Sequence, residues 1–347
     1  MHNMKRIRDT VYVVGAGFSK GCGYPLTRDL LFDVWARIDD THRDSLRKII
    51  EFHHPHFRED KQASFPNIEK LLTELTVNID LFKSSRRYKG NFQKEELIEA
   101  RQALLSTIAS WFHEIYKDAK LTPWLDEFVQ IVQEEEAGII TFNWDLLLDQ
   151  KMFGRDITPD QYGLGKELPK NGPFILKPHG SLNWYTSDEV NSVIEERRLI
   201  LFHARKSNHQ VEVFIPPREI KTKVNKKYTP LIVAPSYLKD FSKPVFRHIW
   251  KHSTELLSTA KRIIFLGYSL PDDDLQARYI LRCGFHNQIE GIIRRNGRLI
   301  PTGKSKVVVV NPDYEAVKRI RDILNPGVRV SRPAKTVEQW LRDTHRS

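Results

Sequence analysis

The sequence predicts an α/β fold, a Rossmann-like parallel sheet with helices on both faces. Three observations predict it. Short apolar runs such as Val11–Val14 and Arg262–Leu266 read as strands buried on both faces, which need no polar alternation. Longer runs between them carry apolar residues at helical spacing. The two kinds of run alternate through much of the chain, as the crossovers of a parallel sheet require.

The first strand, Val11–Val14, runs into Gly15-Ala16-Gly17-Phe18-Ser19, and Gly23-Tyr24-Pro25 opens an amphipathic run over Leu26–Ile38. A strand, a glycine-rich turn and a helix let the backbone approach a pyrophosphate, whose charge a helix N-terminus favours. The spacing is not GxGxxG, and a bare GAG also serves as a tight strand-to-helix turn. Residues 41–118 read as a helical insertion, with helical spacing over 68–82 and 94–116. Its aromatic stripe, Trp111, Phe112 and Tyr116, reads as core. Pro123 opens a helix to about residue 136. Gly138–Phe142 is the second strand, and Asn143-Trp144-Asp145 opens the next helix. Phe174–Lys177 is the third strand, ending at Pro178-His179-Gly180.

Residues 181–230 change character and read as a small irregular β-rich insertion, with RRLILFHA and VEVFIP as strands. Alternation then resumes. Leu231–Ala234 is the fourth strand, Val245–Ala260 a helix, and Arg262–Leu266 the fifth strand, ending in Gly267-Tyr268-Ser269-Leu270. Leu275–Cys283 is a helix and Lys306–Val310 the sixth strand, ending in Asn311-Pro312-Asp313. Tyr314–Leu324, Val328–Val330 and Lys335–Arg342 close the chain as helix, strand and helix. The plan is one domain over 1–347 with insertions at 41–118 and 181–230.

Composition narrows the class. No run of eighteen apolar residues exists, so no membrane span is expected. The basic N-terminus leads into a strand and not into a signal-peptide core. Two cysteines, Cys22 and Cys283, make neither a disulfide framework nor a four-thiolate zinc site, and fit a reducing cytoplasm. The net charge of +11 reads either as attraction to nucleic acid or as a scattered basic surface. No basic arm or nucleic-acid motif is present, which favours the second reading and leaves direct nucleic-acid binding open.

Ligands of such sheets bind beyond the carboxyl ends of the strands. The polar and glycine-bearing clusters fall there: GAGFS, FNWD, PHG, GYSL and NPD. Their order resembles the SIR2 (sirtuin-like) family, whose members carry GAGxS…GxPxFR, TxNxD, His-Gly, GxSL and a late Asn-bearing strand end. Here these stand as Gly15–Ser19 with Gly23, Pro25 and Arg28; Thr141, Asn143 and Asp145; His179-Gly180; Gly267-Tyr268-Ser269-Leu270; and Asn311. Two features depart from deacetylating sirtuins. Residues 181–230 hold no cysteine for the zinc module, and Ile232-Val233-Ala234-Pro235-Ser236 replaces the strand that clamps the substrate peptide. A proline there removes a backbone donor that peptide pairing wants. Thr27 and Phe142 also replace the family's Phe and Gln.

The pattern is closer to the SIR2-like domains of bacterial antiviral systems. That resemblance implies an NAD+ glycohydrolase releasing nicotinamide and ADP-ribose, with NAD as substrate and no metal. It further implies a homo-oligomer or a complex with a second defence subunit, such as a nucleic-acid motor. The alternatives are an NAD-dependent protein deacylase and a non-catalytic NAD or ADP-ribose regulator. His179 is the expected general base, placed on an exposed rim at a strand end, since an imidazole titrates near neutral pH. Asn143 is expected to orient ribose or water, or else to cap the following helix. Asp145 would meet the carboxamide, or serve as a first-turn acid. Gly15, Ala16, Gly17, Phe18 and Ser19 are expected at the phosphates, Gly267, Ser269 and Asn311 at the adenosine half, and Arg28 at phosphate or ribose. Asp272-Asp273-Asp274 reads as an ordinary helix start.

Overall fold

The computed structural model describes residues 7–84, 93–118, 122–154, 157–186, 204–206, 211–214, 232, 244–272, 274–288, 292–295, 298–301, 306–325 and 328–345. The chain opens with β1 (Thr10–Val14) and passes at once into a short helix, α1 (Ala16–Lys20). A second short helix, α2 (Leu30–Trp35), leads to α3 (Asp40–His53), α4 (Ile68–Ser84) and α5 (Lys94–Asp118). Then come α6 (Pro123–Glu134), β2 (Gly138–Thr141), α7 (Leu147–Phe153) and β3 (Phe174–Leu176). Three short strands, β4 (Trp184–Thr186), β5 (Ala204–Lys206) and β6 (Val211–Phe214), precede α8 (Pro244–Thr259), β7 (Arg262–Leu266) and α9 (Leu275–His286). The last part holds β8 (Ile292–Arg295), β9 (Arg298–Pro301), β10 (Lys306–Val310), α10 (Tyr314–Asp322), β11 (Val330–Ser331) and α11 (Val337–His345).

Six strands form one parallel sheet in the order β11-β10-β7-β1-β2-β3. The chain builds outward from β1 to β3, then crosses to the other side of β1 and builds outward again. Ligand crevices of doubly wound sheets lie where that direction reverses, here between β1 and β7. Every residue of β1 and β2 is buried, which is why these strands read as unbroken apolar runs.

The insertion expected over 41–118 is present as α3, α4 and α5 packed on one another. Leu46, Ile49, Leu71, Leu75, Leu104 and Ile108 lie inside the resulting core. The apolar faces of the helices over 68–116 are therefore used largely within the chain.

One expectation changes, two fall largely outside the described residues, and one element was not expected. The Leu26–Ile38 helix shrinks to Leu30–Trp35, because the helical turn starts directly after Gly15 and Pro25 follows it. Of the expected strand Leu231–Ala234 only Ile232 is described. It forms an isolated antiparallel bridge to Gly180, and among the described residues GYSL follows the fourth strand of the parallel sheet. Of the two strands read in 181–230, residues 197–203 and 215–216 lie outside the described residues. Ala204 of the first opens β5 and residues 211–214 of the second form β6, and with β4 these strands make a small antiparallel sheet. The β8–β9 hairpin was not expected, although Asn296-Gly297 between its strands is a strong turn signal.

Candidate active site

The loops after β1 and β7 meet at the reversal point with almost no space between them. Gly15 N donates to Leu266 O (3.1 Å) and Gly17 N to Gly267 O (2.9 Å). A Cβ on Gly15 would stand 2.6 Å from Tyr268 Cα. A Cβ on Gly267, which has φ 59°, would stand 2.4 Å from Phe18 N. These glycines are thus required by backbone-to-backbone packing, and the Gly17 amide is committed to Gly267.

Against this seam, three side chains close a hydrogen-bonded cluster. Asn143 Nδ2 donates to Gly15 O (3.0 Å) and to Ser19 Oγ (3.1 Å). Ser19 Oγ donates to Asp145 Oδ2 (2.8 Å), and Asp145 Oδ1 accepts from Leu147 N (3.0 Å). Asp145, not Asn143, therefore satisfies the first turn of α7, and the Asn143 amide faces the glycine turn. Burial pushes the Asp145 carboxyl above the usual range, with Lys177 and the bonds from Ser19 and Leu147 opposing that shift.

Lys177 lies beneath the cluster, wholly buried at the end of β3. Its ammonium donates to Asp145 O (2.6 Å) and Asp149 Oδ1 (3.1 Å). Asp149 also accepts from the Tyr162 hydroxyl, whose oxygen accepts from Asn183 Nδ2 (3.0 Å). Lys177 was not among the expected site residues. A lysine closing an apolar strand was the available signal, because a buried ammonium needs an anion.

His179 is not on an exposed rim. It is 3% exposed, its Nε2 lies 3.3 Å from Asp274 Oδ2, and its ring meets the edge of Phe142 (4.9 Å). Phe142 in turn stacks on Tyr268 (4.6 Å, 13°). Asp274 caps α9 as expected, its Oδ1 accepting from Ala277 N (3.1 Å). Its Oδ2 also accepts from the Tyr268 hydroxyl (3.4 Å). The tyrosine's pKa is raised by burial first and by Asp274 second. Asp274 was legible as a cap but not as a neighbour of His179, which is distant in sequence. Trp250 Nε1 to Pro178 O (3.0 Å) and Leu182 N to Trp144 O (3.2 Å) anchor the loop bearing His179.

The remaining candidates divide. Ala16, Ser19, Asn143 and Asp145 line a cleft whose far wall is Tyr24 and Phe112, the latter from the aromatic stripe of α5. The room in it is about 50 Å³, well under the 300–1,000 Å³ common for small-molecule sites. Asn311 Nδ2 donates to Tyr268 O (3.1 Å), and Ser269 O accepts from Arg319 Nε (2.9 Å), so both hold the loop after β7. The side chain of Phe18 is core, edge-on to Trp124 and Phe128. Arg28 stands on a turn, its side chain 75% exposed beside Asp29, and is not brought to the cluster.

A thiolate-held zinc does not fit. The chain has two cysteines, and the buried Cys22 lies 3.6 Å from Thr122 Oγ1. Among the described residues no group of three or more His, Cys, Asp or Glu could hold a metal ion.

Sheet order and site position together define a doubly wound α/β protein with its polar cluster at the reversal point. Residues 137–282 match the SIR2-like domain family. That span includes Asn143, Asp145, Lys177, His179, Gly267 and Asp274. Among solved structures, the chain is similar to Sir2 in complex with the inhibitor EX-527, 2'-O-acetyl-ADP-ribose and a deacetylated p53 peptide, at 12% identity over 98% of this chain and 93% of that one, TM-score 0.38. It is also similar to Sir2 bound to acetylated peptide, at 13% identity over 98% and 92%, TM-score 0.38. The fold is read from the strand order and not from these likenesses. Among curated proteins, none matches the chain.

Proposed function

We propose that this protein is an NAD+ glycohydrolase that cleaves the nicotinamide–ribose bond to give nicotinamide and ADP-ribose. The observation that carries the reading is the bond from Asn143 to the Gly15 carbonyl at the reversal point of a SIR2-like domain. Hydrolysis is preferred to deacylation because residues 181–230 hold no cysteine and Pro235 interrupts the segment where a substrate peptide would pair.

The chemistry asks little of an acid. Nicotinamide leaves as a neutral molecule from a cationic pyridinium, so the barrier lies in the oxocarbenium-like sugar and in placing the nucleophile. As water attacks, a bond forms between its oxygen and the anomeric carbon. The carbon–nitrogen bond breaks, and its electron pair stays on nicotinamide. His179 takes the proton that water releases. Asn143 orients water and ribose, and Asp145 meets the carboxamide. Gly15, Gly17 and Ser19 lie along the phosphates, with Gly267, Ser269 and Asn311 towards the adenosine. On this reading NAD binding widens the cleft, which Phe142 lines beside His179.

We assign the activity to NAD depletion in antiphage defence, in a homo-oligomer or beside a second subunit. The test is release of nicotinamide from NAD by purified protein. His179→Ala and Asn143→Ala should each lower kcat by about 100-fold or more with the fold intact by circular dichroism. A His179→Ala enzyme with wild-type turnover overturns the mechanism. Consumption of an acetylated peptide one for one with NAD would turn the reading to deacylation.

A further inference from the structure

We infer that Asp274 is the positioning residue for His179, fixing the imidazole in the tautomer with its proton on Nε2 and its lone pair on Nδ1. The inference rests on the reading of His179 as the base. Both side chains are buried, Asp274 at 1% and His179 at 3% exposure, with Oδ2 and Nε2 at 3.3 Å. A carboxylate removed from water must be compensated by donors. Capping α9 accounts for only one oxygen, which accepts from Ala277 N. An asparagine or serine would cap equally well. The second oxygen, aimed at the imidazole and the Tyr268 hydroxyl, is what capping leaves unexplained.

The loop that delivers Asp274 is held from several sides. Leu270, wholly buried, adopts a left-handed backbone (φ 47°) immediately before Pro271. Such a conformation costs free energy and persists where the surroundings over-determine it. Asn311 Nδ2 on Tyr268 O and Arg319 Nε on Ser269 O supply that restraint from the strand end and helix beyond. The carboxylate therefore stands in a fixed place when the imidazole arrives from β3.

The consequence follows from charge. An anion 3.3 Å from Nε2 favours the proton there, leaves Nδ1 as the basic nitrogen and stabilises the imidazolium that forms when His179 takes a proton. No bond to Asp274 is made or broken, and its carboxylate stays ionised throughout.

The experiment is Asp274→Asn, which keeps the size and the capping oxygen and removes the anion. Expected are a kcat for NAD hydrolysis lower by about 100-fold or more, a KM within about threefold of wild type, and an unchanged thermal midpoint. The side-chain ¹⁵N spectrum should show the His179 resonances leaving the Nε2–H pattern for a mixture. A His179→Ala spectrum identifies those resonances among the 13 histidines. Asp274→Ala should match the kcat loss and also melt earlier, because it removes the cap. A His179 tautomer unchanged in Asp274→Asn overturns the inference, as does wild-type kcat in a protein that needs His179. If His179→Ala hydrolyses NAD normally, the base assignment fails by itself, and the ¹⁵N spectrum still decides whether Asp274 sets the ring.

Discussion

Lys177 and Asp149 show what a single buried charge does. Their ammonium and carboxylate lie 3.1 Å apart with side chains 0% and 3% exposed. Removing one partner strands the other, so Lys177→Met should cost about 3–5 kcal/mol in urea unfolding. The double variant Lys177→Met/Asp149→Leu should lose less than Lys177→Met alone, because no orphan charge remains. Asp145 gives a pH test with a definite sign. Burial raises its folded pKa above the ordinary carboxylate value. Protonated Asp145 therefore favours the fold at pH below the unfolded value, and that contribution is lost as pH rises through the folded one. Asp145→Asn should thus change stability more favourably at pH 7 than at pH 4, as thermal melts at the two pH values would show. At this scale the sequence was informative about chemistry and silent about depth. Asn143 and His179 stood out because each follows a strand. The burial of His179 depends on Phe142 and on Asp274, and no local pattern carries a contact of that span.

Elements were legible where periodicity was long and illegible where the chain turns tightly. Strands β1, β2, β7 and β10 and helices α4, α5 and α8 announce themselves by apolar runs or by helical spacing. The start of α1 does not, because five residues give no period to read. The glycines stood out for a role in phosphate binding, but their part in packing did not. The structure gives Gly15, Gly17 and Gly267 a packing role that exists only once β1 and β7 are neighbours. Two substitutions separate packing from backbone conformation. Gly267→Ala brings a Cβ to 2.4 Å from Phe18 N at positive φ and should cost about 3 kcal/mol or more. Gly172→Ala, at φ 72° with nothing within 4 Å of its Cβ, should cost about 1 kcal/mol. Equal losses in chemical denaturation would show that the seam tolerates a methyl group.

Across the whole molecule, the helical insertion does two jobs. It buries its own apolar faces, and through Phe112 it closes the cleft over Ser19 and Asn143. Tyr24 ties the two parts together, its hydroxyl on Phe112 O (3.3 Å) and its ring edge-on to that ring. On the proposed function, a cleft of about 50 Å³ opens before a dinucleotide enters. Stopped-flow binding of ADP-ribose should accordingly show an observed rate that levels off with concentration, set by opening. A rate that climbs linearly to diffusion-like values would mean that the cleft already stands open. The general plan of sheet and insertions could be drawn from the sequence, because composition and alternation are distributed over hundreds of residues. The closed cleft could not, since it depends on Phe112 and Asn143 meeting across two separate elements.

The place of β1 in the sheet has a consequence for how the protein is made. This strand leaves the ribosome before the rest of its sheet, and its two partners are β2 at residue 138 and β7 at residue 262. At roughly 5–20 residues per second, the second partner follows some 10–50 s later. For that interval a Val-Tyr-Val-Val segment waits with an unpaired, sticky edge. Nascent chains that stall before residue 262 should therefore clump or recruit chaperones, whereas those stalled beyond residue 310 should not.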